Sequence, residues 1–147
     1  GGAVDFSVVI PAGTTYARFS LFDSEVSQPS DLDMEVYLNG ALVGSSGTGT
    51  SAEEVNLSNP AAGTYTVRVV GFAVPNGSAN FKLFSWALGS TAAGNMTVTA
   101  PANAVLGQTG NITIGTTGLV AGTKYLGSVV YGGAAGMPSP TIVRIDP

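Results

Sequence analysis

The sequence contains no cysteine and no histidine. Without them there is no disulfide framework, no ordinary zinc ligand set and no Ser-His-Asp or Cys-His nucleophilic centre. The side chain best suited to act as a base at neutral pH is missing too. Hydrolysis by two carboxylates across a cleft remains formally open, since it needs only Asp or Glu. Nothing beyond the presence of acidic residues favours it. The glycine-rich stretches lack both the lysine of a phosphate-binding loop and a helix to follow it. The chain therefore reads as non-catalytic.

Charge is the second scarcity. Charged residues are 10% of the 147, against roughly a quarter in an ordinary soluble domain. The cations Arg18, Arg68, Lys82, Lys124 and Arg144 are scattered, and the formal net charge is −4. Nucleic-acid binding needs clustered cations that displace counterions, and binding to an anionic membrane surface needs the same, so neither partner is expected. Apolar runs are broken every few residues by Gly, Ser, Thr or Pro, and none approaches the ~20 residues of a membrane-spanning helix. Neutral polymers, protein surfaces and divalent cations remain as partners.

What is present is a hydrophobic fraction of 44% with 21 glycines and abundant Ser, Thr, Ala and Asn. That composition excludes disorder and is a common style of extracellular bacterial β-modules. The chain opens Gly1-Gly2-Ala3 without a methionine or a signal-like apolar region, which reads as a piece of a longer secreted protein.

Period-two alternation recurs and helical periodicity does not. Phe6, Val8 and Ile10 alternate, as do Ala17, Phe19 and Leu21, and then Leu32, Met34, Val36 and Leu38. The pair Asn39-Gly40 follows, the residues that a two-residue type I′ hairpin turn prefers because both positions need positive φ. Further strands are expected over 54–57, 64–72, 80–88, 95–100, 111–115, 124–131 and 141–145. The small-residue stretch Gly89-Ser90-Thr91-Ala92-Ala93-Gly94 marks a boundary between modules 1–90 and 91–147. Short strands at about ten-residue spacing predict an all-β antiparallel sandwich, with a smaller β module packed against or following it.

Two candidate sites emerge. On a strand, Asp31, Asp33 and Glu35 share one face while Leu32, Met34 and Val36 take the other, and Glu53 and Glu54 open a later strand. Carboxylates converging with loop carbonyls would suit Ca²⁺, so these five are candidate calcium ligands; the plainer reading is a solvated polar face that requires no cofactor. In the segment 80–88, Phe81 and Leu83 face one way and Phe84, Trp86 and Leu88 the other. Phe84 and Trp86 are expected in a seam between the modules, the alternative being an exposed aromatic platform for sugars or a protein chain. Tyr65 and Tyr125 each follow a Gly-Thr turn that opens a strand, which suits a structural tyrosine corner. Four Asn-x-Ser/Thr sequons, at Asn56, Asn76, Asn95 and Asn111, are no more than chance supplies in this composition.

The ordered run Asp31-Leu32-Asp33-Met34-Glu35-Val36-Tyr37, Asn39-Gly40, Ser45-Ser46, Glu53-Glu54-Val55-Asn56-Leu57 and Asn59-Pro60-Ala61-Ala62-Gly63-Thr64-Tyr65-Thr66-Val67-Arg68-Val69 resembles the bacterial pre-peptidase C-terminal domain, over about residues 4 to 88. From Gly118 to Ile145 the chain is similar to the short immunoglobulin-like or fibronectin-like ending of bacterial subtilases. The resemblance implies a jelly-roll-like β-sandwich, a secreted bacterial parent of the subtilisin-like serine protease family, and a non-catalytic role in its secretion, folding or stability. The partner would then be the parent's catalytic domain in cis. Similar sandwiches in clostridial collagenases bind collagen and calcium, so Asp31 and Asp33, at the family's paired-aspartate position, keep a calcium reading by resemblance. A substrate-targeting module for collagen-like protein or polysaccharide, and a surface-adhesion or structural module, are the competing functions.

Overall fold

The computed structural model describes residues 1–133 and 135–147. The described chain is built from eleven strands and one short 3₁₀ turn, and its contacts divide it into two compact units, Gly1–Ser90 and Thr91–Pro147.

The first unit contains β1 (Ala3–Ile10), β2 (Tyr16–Ser20), β3 (Asp31–Leu38), β4 (Ala41–Ser46), β5 (Glu54–Ser58), β6 (Gly63–Ala73) and β7 (Phe84–Leu88). They form two antiparallel sheets, ordered β1-β6-β3-β4 and β5-β2-β7. Alternation puts Met34 and Val36 of β3, Val67 and Val69 of β6 and Ala17 and Phe19 of β2 on the facing sides, all at or near zero exposure. Ile10, Leu21, Leu32, Val55 and Tyr65 complete this core, and Phe6, Val8, Phe81 and Leu83 pack against its margin. Each large apolar side chain so buried contributes about 1.5–3 kcal/mol relative to exposure. The unit is an antiparallel β-sandwich, as the alternation predicts.

Asn39 and Gly40 have φ of 51° and 80°, and Leu38 pairs with Ala41, so β3 and β4 are joined by a two-residue turn with positive φ at both positions. Only the second half of the strand expected over 80–88 forms. Phe81 makes an isolated bridge to Val26 and sets its ring edge-on to Phe6 at 5.8 Å, while the Asn80 N–H donates to Ser27 Oγ at 3.0 Å. Phe81 and Leu83 thus turn inward to fill the side of the sandwich, and regular pairing with β2 begins at Phe84.

The second unit contains β8 (Met96–Thr99), β9 (Thr113–Thr116), β10 (Tyr125–Val129) and β11 (Thr141–Ile145). They form two antiparallel ribbons, β8-β9 and β10-β11. The ribbons meet where Met96 lies over Gly127: a Cβ there would come within 3.3 Å of the Met96 sulfur and methyl, so the thioether would have to shift by a few tenths of an ångström. The Gly122 N–H donates to the Pro147 carbonyl at 3.0 Å, and Lys124 and Arg144 both pair with Asp146.

Candidate functional site

The acidic row lies where the pleat puts it. Inward Leu32, Met34 and Val36 leave Asp31, Asp33 and Glu35 on the outer face of the four-stranded sheet. Asp31 Oδ1 is buried and has no hydrogen-bond partner among the described residues. Asp33 lies beside the turn that follows β4, where a Cβ on Gly47 would come within 3.1 Å of its Oδ1. Glu35 accepts a hydrogen bond from the Tyr37 hydroxyl at 2.6 Å. That bond, with burial and the Glu35 charge, raises the phenol's pKa.

The two later glutamates part company. Glu53 is 1% exposed and points inward, on the same side of the chain as Val55. Its carboxyl group accepts from the Thr48 N–H and the Thr48 hydroxyl, both at 2.7 Å, and from the Ser46 hydroxyl. Glu54, one residue on, faces outward from the other sheet. It pairs with Arg18 at 3.1 Å and accepts from Asn56 Nδ2 at 2.8 Å. Asn56 Oδ1 in turn accepts from the Tyr16 hydroxyl and Arg18 Nε, so this sequon's side chain is tied into a cross-strand network. Among the described residues no three acidic side chains converge to hold a metal ion. The five carboxylates do not fit one calcium site, because Glu53 is held by protein donors and Glu54 lies on the opposite sheet.

Asp33 remains the perturbed carboxyl. Burial, then the charges of Asp31, Glu53 and Glu35, raise its pKa above the ordinary 3.8. A raised value means that the folded chain binds this proton more tightly than the unfolded chain does. Its contribution to stability is therefore greatest at low pH and falls as pH rises from the ordinary aspartate range through the folded value. Asp33→Asn is expected to raise the stability of the chain at neutral pH, with the gain shrinking as pH falls through the ordinary aspartate range. Thermal melts of both proteins across that range check this, and equal melting temperatures at neutral pH would contradict it.

Beside the acidic row runs a pair with no local trace in the sequence. Arg68 on β6 grips Asp5 on β1 through two bonds, Nε to Oδ1 at 2.8 Å and a terminal nitrogen to Oδ2 at 2.9 Å. Its guanidinium also lies 5.7 Å from the Tyr37 ring centroid. The Arg68 bond lowers the Asp5 pKa, opposite in sign to Asp33. A shallow cleft lies at the end of the sandwich, lined by Asp23, Val26, Gln28, Pro29, Ser30 and Ser51 among others. There the Ser51 N–H donates to Asp23 and its hydroxyl to the Ser30 carbonyl.

The aromatic and tyrosine positions are placed as follows. Phe84 stands edge-on to Phe22 at 5.3 Å and stacks with Trp86 at 6.0 Å, on the face of β7 away from the core. Tyr65 is 2% exposed and its hydroxyl donates to the Ala61 carbonyl at 2.9 Å. Tyr125 uses its oxygen the other way, accepting from the Val120 N–H at 3.1 Å.

Polar groups engaged in cross-strand pairs, over a core shared by two antiparallel sheets, define a β-sandwich module. Residues 3–71 match the family model of the bacterial pre-peptidase C-terminal domain, and this part of the chain is such a domain. The match runs from β1 almost to the end of β6 and leaves β7 and the second unit outside it. Domains of this family are non-catalytic accessories found at the C-termini of secreted proteases. No curated protein matches the chain.

Proposed function

We propose that this chain is the C-terminal accessory region of a secreted bacterial subtilisin-like serine protease, acting in cis to support the export, folding or stability of the catalytic domain. The observation that carries the reading is the family match over residues 3–71. The immunoglobulin-like or fibronectin-like character of Thr91–Pro147 belongs to the same proposal.

The test is deletion of the region from the secreted parent. Lower secreted yield, or a shorter half-life of protease activity on heating, is expected. Unchanged yield and half-life, with loss of binding to insoluble collagen, keratin, chitin or cellulose, would instead make it a substrate-targeting module. No cofactor is required in this reading, because Glu53 and Glu54 are already held by Thr48, Ser46 and Arg18. Melting in EDTA and in millimolar Ca²⁺ should therefore coincide. A rise of about 5 °C or more with Ca²⁺ would overturn that part, since a ligand well above its Kd adds a few kcal/mol.

A further inference from the structure

We propose that β1 is a self-pairing edge, through which two copies of this chain join their four-stranded sheets into one continuous antiparallel sheet. The proposal stands apart from the protease reading. β1 pairs with β6 along all eight of its residues and ends its sheet. The Gly71 N–H donates to the Gly2 carbonyl at 2.8 Å, so residue 2 turns its backbone groups toward β6. Backbone direction alternates along a strand, so the even-numbered residues of β1 serve β6, and Ala3, Asp5, Ser7 and Val9 turn their N–H and C=O groups outward. No backbone hydrogen bond reaches these outward groups among the described residues.

Natural edges are guarded by lysine, proline, a bulge or a covering segment. β1 has no lysine, no proline before Pro11 and no register shift against β6. The other end of this sheet is closed by the chain itself. There β4 is bulged against β3, and Gly44 lies so close to β5 that a Cβ would come within 2.6 Å of Val55 Cγ1.

The edge matches a second copy of itself in charge and shape. The protein's net charge of −4 opposes self-association in general, but the sole charge on β1, Asp5, is neutralised by its own Arg68. A two-fold axis at Phe6 sets Ala3 opposite Val9 and Asp5 opposite Ser7, with Val4 opposite Val8 and Phe6 opposite its own copy. Every outward backbone group then has a partner, and no like charges stand directly opposite. Val4 and Val9, 50% and 69% exposed, come to lie against apolar neighbours.

Sedimentation equilibrium of the full chain from about 1 µM to about 1 mM tests this. The expected result is a monomer–dimer equilibrium. Ser7→Pro removes an N–H that does not serve β6, and should weaken it by about tenfold or more, since the two-fold deletes two bonds at once. Val9→Lys places a charge on the same edge and should act likewise, keeping the test decisive if the proline variant misfolds. A monomer at every concentration overturns the proposal, even one that accepts an added extended peptide on this edge. So does a dimer that survives in folded Val9→Lys.

Discussion

Glu53→Ala is expected to lose about 3 kcal/mol of folding stability, far more than an ordinary surface substitution. Glu53 is almost fully buried, and its carboxyl group is the acceptor for the Thr48 N–H and for the Thr48 and Ser46 hydroxyls. The hydroxyls can turn toward other acceptors, but the N–H is fixed in the turn between β4 and β5. Truncation leaves that donor without an acceptor and opens a void beside Ser51 and Val55, which are buried close by in sequence. Glu53→Gln keeps the shape and one acceptor oxygen, and should cost only about 1 kcal/mol. Urea unfolding of the three proteins distinguishes the cases. Equal stabilities for the alanine and glutamine variants would mean that the donors do not depend on this side chain.

That contrast marks how far the sequence could be read. The strands were legible because nearly every core residue lies in a period-two run, such as Leu32, Met34 and Val36. The turn at Asn39-Gly40 was legible because few other pairs tolerate positive φ twice in succession. The same rule separates Glu53 from Glu54. Neighbours on a strand face opposite ways, and Val55 and Leu57 already fix the inward parity, so Glu53 had to enter the sandwich and Glu54 had to leave it.

Other features had no local trace. Asp5 and Arg68 are 63 residues apart in sequence and meet only because β1 and β6 pair in one register. Nor does alternation alone reveal that 80–83 leaves the ladder. Phe81 and Leu83 look like strand residues, and their inward turn is set by the open side of the sandwich that they fill.

Tyr65 provides the second large effect, because its two functions can be removed separately. Its ring lies in the core with its centroid 6.2 Å from that of Phe19, bridging the two sheets, while its hydroxyl reaches back to the Ala61 carbonyl just before β6. Tyr65→Phe keeps the ring and should cost about 1 kcal/mol, the net worth of one hydrogen bond. Tyr65→Ala should cost about 4 kcal/mol, as truncating a buried aromatic ring leaves a cavity that flanking strands cannot fill. The phenylalanine variant isolates how firmly the turn over 59–63 is tied down. There Asn59 holds φ at 46° and its N–H donates to the Thr15 carbonyl at 2.7 Å, so a loosened turn should also show faster amide exchange at Asn59. A phenylalanine variant as damaging as alanine would place the stability in the corner itself. A harmless one, with Asn59 exchange unchanged, would make Tyr65 a core residue whose hydroxyl is incidental. The expected ordering, a small loss and then a large one, follows from a ring that joins the sheets and a hydroxyl that pins the strand's entry.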